Sequence, residues 1–109
     1  MSEEFDLIVS IANKHYSEKI VQASKEAGAE GGTILYGRGT GIRETQTILG
    51  IPVEPEKEVV LTIVPKEISE QVLSSIMHKA ELEKPGAGIA FVVDLKKVVG
   101  ISHRSGQEQ

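Results

Sequence analysis

Three short segments of this 109-residue chain carry the residue types that hold anions. The first, Tyr36-Gly-Arg-Gly-Thr-Gly41, combines freely rotating backbone, donor N–H groups and one guanidinium, a mixture that lets a chain approach a phosphate closely and pair with it. The second, Pro85-Gly-Ala-Gly88, is a compact glycine turn, and the third, His103-Arg104-Ser105-Gly106, brings another arginine near the C-terminal end. Each has a plain structural alternative: a strand exit needing unusual φ, a helix-to-strand connection and a frayed polar tail. Singly they leave both readings open. Together, on one small acidic domain, they favour a phosphate-bearing ligand, with a subunit boundary as the place for them to meet.

Catalytic constellations do not stand out. There is no GxSxG, no GxxxxGK[ST] and no His/Glu pair at metalloprotease spacing. His15, His78 and His103 are scattered and read as solvated or capping residues, and Glu54, Glu56, Glu81 and Glu83 read as solvated charges rather than carboxylate dyads. The chain has no cysteine, which excludes disulfides, thiolate metal sites and a cysteine nucleophile. The expectation is a binding protein rather than an enzyme, with no required cofactor and no metal ligand set.

With 12 Lys+Arg against 16 Asp+Glu, the formal charge is −4, which works against nonspecific attraction to nucleic acid or anionic lipid. No apolar run approaches the ~20 residues of a membrane span, so direct membrane insertion is not expected. The acidic residues 1–6 are unlike the basic start of a secretion signal, and the expected compartment is the cytoplasm.

The elements that must position these segments fit one domain over 1–109. Residues 5–11 alternate as a strand, with Phe5, Leu7, Val9 and Ile11 on one face and Ile8 on the other. Helical spacing through Tyr16, Ile20, Ala23 and Ala27 predicts a helix over 17–27, with Ser17 as N-cap and Gly28 at an αL C-cap. A short strand over 33–36 leads into a loop over 38–57 with no sustained period. So long a loop in so small a domain is usually functional or disordered. Strongly β-branched residues 58–64 predict the third strand, Ile68, Val72, Ile76 and Ala80 a second helix to about residue 81, and residues 89–95 the fourth strand. A helical turn is expected over 96–99, and 102–109 is a polar tail. The order β-α-β, loop, β-α-β predicts an α+β, ferredoxin-like βαββαβ sandwich: a four-stranded antiparallel sheet with two helices on one face.

Two helices cover only one face of such a sheet, yet Val59, Leu61 and Ile63 oppose Val60 and Val64, and Ile89, Phe91, Val93 and Leu95 oppose Ala90 and Val92. Both faces are apolar where a solvated one would alternate with polar residues. Burial is favourable by about 25 cal/mol per Å², so the bare face predicts a homo-oligomer with ligand clefts between subunits.

The layout and residues together resemble the PII family of nitrogen-regulatory signal-transduction proteins, from Leu7 to about Gly106. The resemblance rests on the element order, Gly37-Arg38 at the loop entrance, Gly86-Ala-Gly88 before Ile89-Ala-Phe-Val-Val-Asp-Leu95, and Arg104-Ser-Gly106. It implies a homotrimer that binds ATP or ADP, with AMP a further candidate, in intersubunit clefts. The long loop would touch an enzyme, a transcription regulator or a membrane transporter. On this resemblance Gly37 and Arg38 serve the phosphate end, Gly86, Ala87 and Gly88 form the phosphate turn, and Arg104 comes from a neighbouring tail. Ile8, Gly28 and Val64 lie near base and ribose, and Arg43, Ile48, Leu49 and Ile51 dock the partner.

Several positions depart from the family pattern. Ala87 and Ile89 stand where the phosphate turn has an acidic residue and a following lysine. Glu58 stands where a lysine pairs with 2-oxoglutarate, with Lys57 one residue off; Gly39 replaces a glutamine near the metal, and the loop has no tyrosine to modify. These departures argue against classical ATP–Mg–2-oxoglutarate sensing and describe a divergent PII-like branch. The alternatives are a CutA-like trimer binding divalent metal and a small acylphosphatase-like enzyme using Arg38.

Overall fold

The structure, a computed structural model, describes residues 3–39, 47–49, 51–52 and 55–101, with backbone alone for 47, 48, 51 and 52. Arg43, Arg104, the side chains of Ile48 and Ile51, and the 102–109 tail lie outside the described residues.

Strand β1 (Phe5–Asn13) leads into helix α1 (Ser17–Glu26) and strand β2 (Thr33–Arg38). Within the long loop, β3 (Thr47–Ile48) pairs with β4 (Ile51–Pro52). Strand β5 (Glu56–Pro65), a 3₁₀ turn (Lys66–Ile68), helix α2 (Ser69–Lys79) and strand β6 (Gly88–Leu95) follow. The sheet order is β2-β5-β1-β6, antiparallel throughout, which is the expected ferredoxin-like arrangement. Three expectations change. The loop expected over 38–57 is shorter at both ends, because β2 runs through Arg38 and β5 begins at Glu56. The two-residue strands β3 and β4 are too short to leave a periodic signal. Residues 96–99 form no helical turn: Val99 is 87% exposed with nothing to pack against, and Gly100 follows at φ +97°.

Helix α1 ends as the sequence suggests. Gly28 takes φ +117° and its N–H donates to the Lys25 carbonyl at 3.1 Å. Its start differs, because Ser17 is the first helical residue and Tyr16, at the cap position, offers no side-chain bond.

The core lies between the helices and one sheet face: Ile8 and Ala12 from β1, Val60 and Val64 from β5, Ile20 and Ala23 from α1, Val72 and Ile76 from α2. Ser75 Oγ donates to the Ala23 carbonyl and Gln71 Nε2 to that of Ala27, joining the helices. At the far end of the sheet Lys66 Nζ bridges Asp6 and Asp94 at 2.6 and 2.7 Å. Hydrogen bonding to Lys66 outweighs burial and, with Ser69, holds the Asp6 carboxyl below its ordinary value.

The register shows that the opposite face is the more apolar one. The covered face includes Asp6, Ser10, Glu58 and Thr62. The open face runs in rows Leu35-Val59-Ile11-Ile89, Thr33-Leu61-Val9-Phe91, Ile63-Leu7-Val93 and Pro65-Phe5-Leu95. Leu35, Ile63, Ile89, Phe91 and Val93 on it are each at least 40% exposed.

Candidate functional site

Both described glycine segments lie at one end of the sheet, on opposite edges. Gly37 pairs with Lys57, and Lys57 in turn with Asn13; one step along, Tyr36, Glu58, Ala12 and Gly88 form a row from β2 to β6. Three strand spacings separate the edges, roughly 14 Å. Hydrogen bonds hold this end together: Lys57 Nζ donates to Asn13 Oδ1 at 2.7 Å, and Asn13 Nδ2 to the Gly86 carbonyl at 3.0 Å. The base of the long loop is closed by Gly39 N–H donating to the Pro55 carbonyl at 3.2 Å.

At the β2 edge, Lys14, Tyr36, Gly37, Arg38, Glu56, Lys57 and Glu58 line a cleft of about 510 Å³. Lys14 pairs with Glu56 at 3.1 Å. Arg38 is exposed and has no ion pair among the described residues. Gly37 needs no unusual backbone, since it lies in the β2 ladder without positive φ and with open space around it, so conformational need does not explain the glycine. A glycine of this kind leaves room for close approach by another group.

At the β6 edge the glycines are structurally demanded. Gly86 takes φ +79° and Gly88 φ +147°, and a Cβ at Gly88 would stand 2.4 Å from the Ile11 carbonyl oxygen. Ala87, between them, donates its N–H to the Lys84 carbonyl.

Glu58 turns inward and is nearly buried. Its Oε1 accepts the Ser17 N–H at 2.9 Å, so it caps α1 from a distant strand. Burial pushes its carboxyl up, but hydrogen bonds from Ser17 and the His15 backbone, with the His15 charge, outweigh that and hold it below the usual value. It is therefore an anion at neutral pH, already committed to the helix. A carboxylate so placed repels an acidic ligand brought beside it.

The residues expected near base and ribose separate. Gly28 lines a cleft of about 480 Å³ at the other end of the sheet, with Phe5, Leu7, Gly31, Thr33, Leu61 and Ile101 among its walls. Ile8 and Val64 are fully buried in the helix–sheet core and present no side-chain surface. Of the expected docking residues, Leu49 is 97% exposed, between β3 and β4. Among the described residues no group of three His, Asp or Glu side chains converges as a metal site, and no helix is long and apolar enough to cross a membrane. Asn13 and the capping role of Glu58 escaped the sequence reading; only the strand register reveals them.

Comparison with known proteins gives a consistent picture of the fold. The chain is similar to Arabidopsis thaliana PII bound to citrate, with 22% identity over 96% of this chain and 85% of that one at a TM-score of 0.69. It is also similar to a Bacillus cereus protein related to NIF3, with 19% identity and a TM-score of 0.68; the match covers 89% of this chain but only 27% of that longer one. No curated protein matches it by sequence. The family described as Nitrogen regulatory protein P-II matches residues 5–105. That match includes the glycine turn, the loop entrance and all four strands of the main sheet, and the chain belongs to the P-II family of nitrogen regulatory proteins.

Proposed function

We propose that this regulatory protein works as a homotrimer that binds ATP, ADP or AMP in clefts between its copies and reports occupancy to a partner protein through the long loop between β2 and β5. The observation that carries this reading is the open sheet face, on which Leu35, Ile63, Ile89, Phe91 and Val93 remain exposed side by side. Copies packed on that face bury it, and the threefold form follows the family.

The placement of the anion-binding segments supports clefts between copies. Gly37 and Arg38 stand on one edge and Gly86, Ala87 and Gly88 on the other, so one ligand held by both kinds of segment requires one chain's β2 edge near a neighbour's β6 edge. Arg104 is the neighbouring tail's contribution in this reading. The protein acts by binding, and the loop signals because nucleotide favours one loop state over another. Leu49, with Arg43, Ile48 and Ile51, supplies the docking surface for an enzyme, a transcription regulator or a transporter. Glu58 and Gly39, which stand where the family has its 2-oxoglutarate lysine and metal glutamine, argue against classical sensing of those two ligands, so adenine nucleotide is the signal in this reading.

Light scattering coupled to size exclusion, followed by calorimetric titration with ATP, ADP and AMP, tests the reading. The expected result is a mass of three 11.8 kDa chains and nucleotide binding that weakens at least about tenfold in Arg38→Ala. A monomer, or a trimer giving no heat with any of the three nucleotides, would overturn it.

A further inference from the structure

Asn13 ends β1 between two segments that are distant in sequence. Its Oδ1 accepts from Lys57 Nζ at 2.7 Å, at the foot of the long loop, and its Nδ2 donates to the Gly86 carbonyl at 3.0 Å, in the glycine turn. The amide orientation is fixed by chemistry, since an ammonium only donates and a carbonyl only accepts. Flipping the amide would break both bonds.

The two bonded groups differ in freedom. The Cβ side of Gly88 is closed by Ile11 and Ala12, whereas that of Gly86 faces open space, so the side-chain contact that ties the Gly86 end of the turn to the sheet is the bond from Asn13. Lys57 lies directly across from both Asn13 and Gly37, two residues after Pro55, which closes the loop with Gly39. A displacement of the Gly86 carbonyl would turn the Asn13 amide and shift one of the groups that Lys57 contacts. A pull on Lys57 does the reverse.

We propose that Asn13 is a positioning residue coupling the Gly86–Gly88 turn to the foot of the long loop. An occupant that reorders the turn thereby shifts the loop, and by reciprocity a partner that moves the loop shifts the turn. The trigger, nucleotide phosphate, rests on the function proposed above; the coupling itself is a property of the unliganded chain.

Hydrogen exchange on the full-length, ligand-free protein tests it, read at Ala87, whose N–H donates to Lys84, and at Gly39, whose N–H donates to Pro55. Lys57→Met should speed exchange at Ala87 about two- to tenfold, the range of one lost hydrogen bond, although it lies in another strand. Asn13→Asp keeps an acceptor for Lys57 but loses the donor to Gly86, so it should speed Ala87 and leave Gly39 protected. Once Asn13→Ala is present, adding Lys57→Met should change Ala87 no further. Unchanged exchange at Val60 in the buried sheet confirms that each variant is folded; if a variant fails that control, the remaining one decides on Ala87.

Exchange at Ala87 indifferent to Lys57→Met, or additive effects in the double variant, would overturn the coupling. A wild-type protein that gives no heat with nucleotide, yet shows the Lys57→Met effect at Ala87, would end the nucleotide reading and leave the coupling standing. Nucleotide binding with Ala87 indifferent would do the opposite.

Discussion

Glu58 accepts the Ser17 N–H at 2.9 Å, so a carboxylate from β5 does the capping work that Tyr16 leaves undone at the start of α1. Loss of such a cap costs about 1–2 kcal/mol, and Glu58→Ala should lower stability by that amount in urea unfolding. Glu58→Gln keeps an acceptor and should cost less. The folded carboxyl sits below its ordinary value, so it binds a proton less readily than in the unfolded chain. Its contribution is complete above about pH 5 and disappears as pH falls through the carboxylate range. The difference between wild type and Glu58→Gln should therefore shrink on acidification; a constant difference from pH 7 to 3 would contradict the capping role.

Gly88 and Gly86 make a contrasting pair of substitutions. A methyl at Gly88 meets the Ile11 carbonyl oxygen at 2.4 Å and the Ala12 Cα at 2.9 Å, at φ +147°, so backbone must move. Gly88→Ala should cost at least about 2 kcal/mol. A methyl at Gly86 would meet nothing within 4 Å, and the penalty is the left-handed φ of +79° alone, about 1 kcal/mol. Parallel urea melts check the order, which reverses if packing between β6 and β1 is looser than the register implies.

Val9 stands on the open face between Leu61 and Phe91, outside the helix-covered core. A glutamate there leaves the core intact but places a charge in the seam proposed between copies. Val9→Glu should give a folded species at the 11.8 kDa monomer mass, with helical circular dichroism retained and nucleotide heat lost. Retention of the wild-type mass would show that this face is not the seam.

The sequence made the elements legible because their periods are strong: alternation in β1 and β5, and an apolar stripe in α2. It left open which face of the sheet the helices take. In β1 four large apolar residues, Phe5, Leu7, Val9 and Ile11, point away from the helices, while Ile8 lies beneath them with the smaller Ser10 and Ala12. Hydrophobicity alone does not separate a helix interface, which accepts small residues at close approach, from a second apolar interface. At the site, the turn glycines were legible because Gly86 and Gly88 need φ values that other residues avoid. The Asn13–Lys57 and Glu58–Ser17 contacts were not, since each joins residues more than 40 positions apart through strand register.

Ser10 Oγ and Thr62 Oγ1 are fully buried with no hydrogen-bond partner among the described residues, on the face that the helices cover. A buried hydroxyl without a partner loses its bonds to water and gains nothing in return. Valine has nearly the shape of threonine and no such requirement, and it suits the strand equally well. Thr62→Val should therefore raise stability by about 0.5–2 kcal/mol, seen as a higher urea midpoint at unchanged slope. Because Thr62 faces the core and not the open face, the oligomer mass should stay as in wild type. A lower midpoint would mean that the hydroxyl is satisfied in solution, by water or by a residue outside those described, and that this face of the sheet is wetter than its packing shows.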